Sequence, residues 1–350
     1  MNFASDNTAG IAAPILEAIG KANAGYALGY GNDDWTGRVE TGFAELFQRD
    51  VAVFLVPTGT AANALALAHL APPWGAVLCH AESHVATDEC GAPEFFGGGI
   101  KLMGLGGEGS KIAPATLRDA LEGGQWGGPH HVTPSVLTLS QATECGTIYR
   151  VAEIRELTEI AHRHGVAVHM DGARLGNALA RMNVSAAEAT WRAGVDALSF
   201  GATKGGAMGA EAVIFFDPKR GANMQDRRKR GGALASKHRF IAAQIEAFLA
   251  DDLWLGLARH ANAMADALGA GLTAAGCKPV WPVEANEVFA PLSAALDKKL
   301  KAAGAAYYPW KSESLPKGVS VAADQTLMRF VTSFQTTPDD VEKFLATIRA

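Results

Sequence analysis

Val195-Asp196-Ala197-Leu198-Ser199-Phe200-Gly201-Ala202-Thr203-Lys204-Gly205-Gly206 joins a short apolar run to a loop of small residues with one lysine at its centre. Val195–Phe200 has the length and composition of a strand buried on both faces, and the glycines that follow end it. Small neighbours leave the Lys204 amine open to close approach. Taken alone, the same lysine reads as a surface residue in a flexible loop.

Working outward, the same unit repeats. Upstream, Val166–Met170 reads as a buried strand that runs into Asp171-Gly172-Ala173-Arg174; downstream, Glu211–Phe216 reads as another. Further runs of this kind are Val51–Val56, Ala76–Cys79, Ile100–Leu105 and Val136–Leu139, with helical patterns over Thr60–Leu70 and Val151–His164. Doubly buried strands alternating with helices predict an α/β domain built on a mostly parallel, seven-stranded sheet. Past residue 240 the pattern changes. A long helical stretch over Arg239–Ala275 precedes strands at Glu287–Pro291 and Leu327–Phe334 and a closing helix over Pro338–Ile348, with Pro338 suited to a helix start. The division expected is an arm over 1–22, a large domain over 23–240 and a smaller α+β domain over 241–350.

Composition narrows the function classes. The chain has 350 residues, 48% of them hydrophobic, enough for a sizeable core. A formal charge of -5 argues against a partner gripped through nucleic-acid phosphates. The one dense basic run, Arg227-Arg228-Lys229-Arg230, reads either as a solvated helix face or as an anion-binding edge. Cys79, Cys90, Cys145 and Cys277 are scattered, which suggests neither a disulfide framework nor a metal site and fits a reducing cytoplasm. The opening MNFASDNTAG lacks the features of a signal peptide, and no apolar run is long enough to span a membrane.

In an open parallel sheet, ligands collect at the carboxyl ends of the strands. After Val51–Val56 stands Pro57-Thr58-Gly59-Thr60, which can cradle a phosphate at a helix N-terminus or simply cap the helix. Asp171 follows at another strand end, then Lys204. Phosphate cradle, aspartate and lysine in this order resemble the aspartate-aminotransferase-like group of pyridoxal-phosphate (PLP) enzymes, in which the lysine amine bonds the cofactor aldehyde and the aspartate pairs with the pyridine nitrogen.

Longer segments make the resemblance specific. Phe3-Ala4-Ser5-Asp6-Asn7, Tyr30-Gly31-Asn32-Asp33, Gly59-Thr60-Ala61-Ala62-Asn63, His84 through Phe96, His169-Met170-Asp171-Gly172-Ala173-Arg174, the Lys204 loop and Val283-Glu284-Ala285-Asn286 together are similar to the low-specificity L-threonine aldolases, in the bacterial branch that includes phenylserine aldolases. The resemblance implies cleavage of L-threonine or another β-hydroxy-α-amino acid to glycine and an aldehyde. It assigns Lys204 to the cofactor bond, Asp171 to the pyridine nitrogen, His84 to the ring face and to candidate base, and Gly59 and Thr60 to the phosphate. Ser5 and Arg329 are assigned to the substrate carboxylate, with Arg174 beside it or on the ring oxygen. It also implies a homo-oligomer, a tetramer built from dimers, and no metal. One departure stands out: many relatives carry a second histidine in an Asn-Thr-His context, whereas this chain has Gln141-Ala142-Thr143-Glu144-Cys145. Glu144 therefore takes that place, either as a base or relay acting through water or as a supporting hydrogen-bond partner. Competing readings are an aryl-serine preference, a different PLP reaction (transamination, racemisation or β-elimination), and a non-catalytic relative.

Overall fold

A computed structural model describes all 350 residues. Ten strands are present: β1 (Ala52–Val56), β2 (Gly75–His80), β3 (Lys101–Leu105), β4 (Thr133–Ser140), β5 (Ala167–Gly172), β6 (Ala197–Gly201), β7 (Glu211–Phe215), β8 (Glu287–Ser293), β9 (Tyr308–Pro309) and β10 (Gln325–Val331). The first seven form one sheet in the order β1-β7-β6-β5-β4-β2-β3. All are parallel except β7, which runs antiparallel to both its neighbours. β2 is buried at every position and β7 likewise, as strands covered on both faces must be.

The main core lies between this sheet and its helices. Phe43 meets Phe200 edge-on at 5.0 Å between ring centroids, and Phe200 also packs on Trp254. Phe43 belongs to the helix Asp34–Phe47, which begins where the Asp33 side chain accepts the Thr36 N–H. A second core lies against the three-stranded sheet β8-β10-β9, where Phe330, Phe344, Val288 and Leu292 are buried. Phe3 inserts into it, its N–H donating to Ala306 O and its carbonyl accepting from Val331 N–H, so the first residues are laced to this sheet.

Three readings from the sequence change. The stretch Arg239–Ala275 is two helices, Arg239–Leu249 and Leu253–Ala274, because Asp251 and Asp252 both take positive φ (51° and 54°) and turn the chain between them. Aspartate is among the few non-glycine residues that tolerate this region. The last strand stops at Val331 rather than Phe334, since the Thr332 hydroxyl donates to Ala261 O (2.7 Å) and draws the chain off the sheet. The basic run is not wholly solvated. Arg227, Lys229 and Arg230 are exposed, but Arg228 turns inward, donating to Leu55 O at 2.9 Å beside His238.

Candidate active site

The carboxyl ends of β1, β4, β5 and β6 open onto one cavity of about 370 Å³. The β1 turn supplies Thr58, Gly59 and Thr60 to its wall. Thr58 caps the twelve-residue helix Gly59–Leu70 by accepting the Ala61 N–H. A Cβ built on Gly59 would meet no atom within 4 Å, so open space lies directly against the helix N-terminus, where the backbone dipole favours an anion.

Opposite this cradle, β5 and β6 present the charged pair. Asp171 is opposite Ser140 on one side and Ser199 on the other. Its carboxylate accepts from Ala173 N–H (3.0 Å) and Asn63 Nδ2 (2.8 Å). Burial works to raise its pKa, but the positive charges of Lys204 and His84 and these two donors hold it below the ordinary aspartate value. Lys204 lines the same cavity and has no carboxylate within ion-pair distance. Its loop lies close to Phe248: a Cβ on Gly205 would come within 2.6 Å of that ring, and Gly206 has a φ of +131°. The two glycines after the lysine thus allow close packing as well as open approach. Beneath the pair, His169 is bonded to Thr138 and Ser199, and burial pushes it down to about 4, so it stays neutral.

His84 opens a short helix beyond β2. Its Nδ1 donates to Glu89 Oε1 (2.9 Å), which also accepts from Asn63 Nδ2 (2.8 Å). The Glu89 bond raises the imidazole pKa above its ordinary value, although burial opposes it; burial raises Glu89 as well. Asn63 therefore bridges two carboxylates, Glu89 and Asp171. Glu144 Oε1 accepts from the Ser140 hydroxyl (2.6 Å) and from His84 N–H (2.9 Å), while its buried Oε2 has no partner. Burial pushes Glu144 up to about 7.

Arg174, after β5, is held by two carboxylates. Asp6 accepts from Nε (2.8 Å) and Nη2 (3.1 Å), and Glu287 Oε2 lies 3.3 Å from Nη1. Asn286 Nδ2 adds a bond to Asp6. Burial disfavours the charge on Arg174, yet the two carboxylates hold its pKa above the ordinary arginine value; burial keeps Glu287 above its own.

Of the residues expected from the sequence, Lys204, Asp171, His84, Glu144, Gly59, Thr60 and Arg174 share the wall of this cavity. Ser5 and Arg329 stand outside it. The Ser5 hydroxyl accepts from Asn7 N–H, and it is Asn7 that reaches the wall. Arg329 on β10 lies with its guanidinium 4.9 Å from the centre of the Trp310 ring, and its buried Nε has no partner. Sequence reasoning missed Asn63, Glu89, Asp6, Glu287 and Glu211 as contributors. Asn63 could have been found, since it is a lone amide in a helix otherwise made of small and apolar residues, histidine aside.

A lysine and an aspartate at neighbouring strand ends of this sheet, facing a helix-capped cradle, define a PLP-dependent enzyme fold of the aspartate-aminotransferase type, fold type I. Residues 2–295 match the beta-eliminating lyase family, and the chain belongs to it. It is 44% identical over 313 residues to a low specificity L-threonine aldolase of Pseudomonas aeruginosa, covering 89% of this chain and 90% of that one. It is 40% identical over 349 residues to another from a Pseudomonas strain, covering 99% and 97%. The solved structure of Leishmania major threonine aldolase superimposes with a TM-score of 0.92 at 28% identity, over 99% of this chain and 98% of that one.

Proposed function

We propose that this chain is a PLP-dependent aldehyde-lyase that cleaves L-threonine, L-allo-threonine and related β-hydroxy-α-amino acids to glycine and an aldehyde. The observation that carries the reading is the facing of Lys204, Asp171 and the open Gly59 cradle across one cavity. These residues fit the cofactor. Gly59 and Thr60 would hold the phosphate, Lys204 the aldehyde carbon, Asp171 the pyridine nitrogen and His84 a ring face. When bound, PLP supplies the electron sink for the breaking Cα–Cβ bond.

The protein's share is binding, orientation and proton transfer. Arg174 is prepared for a carboxylate: its guanidinium is fixed by Asp6 and Glu287 before substrate arrives. Ser5 and Arg329 are proposed as carboxylate partners from neighbouring positions. The substrate β-hydroxyl must lose its proton, and two observations favour Glu144 over His84 as the acceptor. Glu144 lines the cavity, keeps one buried oxygen without a partner, and has a pKa pushed to about 7, near the operating range of a general base. The bond from Glu89 instead favours a protonated His84, suited to hold charge beside the ring.

The same reading makes the enzyme a cytoplasmic homotetramer of paired dimers. Support for an interface comes from Tyr26 and Leu28, which are fully or largely exposed, and from Met208, which is exposed while lining the cavity. No helix is long and apolar enough to cross a membrane. The deciding experiment supplies L-threonine to the PLP-loaded protein and quantifies acetaldehyde and glycine together. Equimolar release is expected. A keto acid or ammonia in their place would assign a different PLP reaction.

A further inference from the structure

The antiparallel strand β7 brings one more carboxylate into the site. Because β7 runs against its neighbours, its first residue, Glu211, stands at the carboxyl ends of β1 and β6, opposite Val56 on one side and Gly201 on the other. It is therefore wedged between the phosphate cradle and the lysine loop. Glu211 is buried, lines the cavity, and accepts the Ala202 N–H through Oε2 at 3.2 Å. The Thr203 hydroxyl, on the same loop, accepts the Ala210 N–H, so the two residues just before the lysine are tied to the start of β7. No arginine, histidine or lysine, Lys204 included, lies within ion-pair distance of Glu211. A buried glutamate without such a partner is retained at a cost in desolvation.

We propose that Glu211 is the proton partner of the Lys204 amine, taking a proton from Nζ when lysine must act as a nucleophile and returning it when a substrate amine displaces the lysine. Because the two groups stand beyond ion-pair distance across the cavity, the transfer passes through one water: the Nζ–H bond breaks as the water takes that proton, the water gives one of its own to the Glu211 carboxylate to form an O–H bond, and nothing is oxidised or reduced. Burial pushes Glu211 up to about 7, with Thr203, Lys204 and the Ala202 N–H pulling the other way, so the carboxyl can hold or release a proton near neutrality. The other charged groups whose fields reach Lys204 are Asp6, His84, Asp171 and Glu287. Asp6 and Glu287 are engaged with Arg174, and Asp171 with Asn63 and Ala173, which leaves Glu211 as the carboxyl fixed to the lysine's own loop.

The inference rests on the PLP assignment to Lys204, and its test separates the two. The PLP-loaded enzyme is mixed with glycine, an amine that displaces the lysine without any carbon–carbon cleavage, and the visible absorbance change is followed by stopped flow from pH 5.5 to 9. Absence of any visible band would overturn the cofactor assignment itself. With the band present, Glu211→Gln is expected to slow the change at least tenfold at pH 7 and to lose the inflection near neutrality. Glu211→Asp should restore part of the rate. Wild-type rate and an unchanged profile in Glu211→Gln would overturn the proposal. Should Glu211→Gln fail to fold, Glu211→Asp decides it: a slower change with a displaced inflection supports Glu211, and a rate and profile identical to wild type overturn it.

Discussion

Asn63→Ala tests the idea that one buried amide organises the charged site. Asn63 Nδ2 donates at 2.8 Å to both Glu89 and Asp171, and each bond reaches an ionisable carboxyl inside the protein. Hydrogen bonds to charged groups contribute about 1.5–3 kcal/mol each, so the pair accounts for roughly 3–6 kcal/mol. Two terms offset this. Asn63 Oδ1 is buried without a partner, and its removal relieves about 1–3 kcal/mol of desolvation. Alanine is also the better helix former by roughly half a kcal/mol. The net expectation is a destabilisation of about 2 kcal/mol at pH 7, read as a shift in urea midpoint at constant slope. The loss should depend on pH. Asp171 has a depressed pKa, so its contribution is present above the ordinary aspartate value of 3.8 and disappears as pH falls through its lower folded value. Asn63→Ala removes one cause of that depression, so the gap between wild type and variant should narrow in acid. A double-mutant cycle with Glu89→Gln should show coupling above about 0.5 kcal/mol. A destabilisation under about 0.5 kcal/mol, independent of pH, would refute the bridging role.

Lys204→Ala should abolish both the visible absorbance of the loaded protein and aldehyde release from L-threonine; substantial aldehyde release would sink the lysine's assignment. Glu89→Gln replaces the charged acceptor that most raises the His84 pKa with a neutral one, so the imidazole should titrate at lower pH by histidine NMR. The stability that His84 contributes through its raised pKa is full below its ordinary 6.5 and fades as pH rises through the folded value; in Glu89→Gln this pH-dependent part should shrink, and an unmoved His84 resonance would contradict the pairing. Gly205→Ala drives a methyl to within 2.6 Å of the Phe248 ring and should destabilise by about 1–3 kcal/mol in urea while lowering turnover through the displaced Lys204 loop. A fully stable, fully active Gly205→Ala protein would show that the loop has slack.

The parallel strands were legible because burial on both faces writes a continuous apolar run. β5 and β6 differ by one or two residues at each end from Val166–Met170 and Val195–Phe200. What the sequence hid were places where backbone conformation, not hydrophobicity, decides. Asp251 and Asp252 break a helical pattern without glycine or proline to announce it. Arg228 sits in the middle of a basic run yet is buried, because one carbonyl on β1 faces it across the fold. Nothing local to Arg227–Arg230 tells the inward residue from its exposed neighbours.

The site divides in the same way. Lys204, Asp171, Gly59 and Thr60 could be read because each follows a parallel strand, where topology gathers ligands at one edge. The missed carboxylates reach the site by other routes. Asp6 comes from a segment laced to the second sheet, Glu287 from the first residue of β8, and Glu89 from behind His84. Glu211 is the most instructive. A rule that inspects strand ends passes over it, since it begins its strand, and only the antiparallel direction of β7 turns that beginning into an active-edge position. In a sheet of otherwise parallel strands, the first residue of an antiparallel one has the same standing as the last residue of its neighbours. A charged residue found there should be weighed as part of the chemistry.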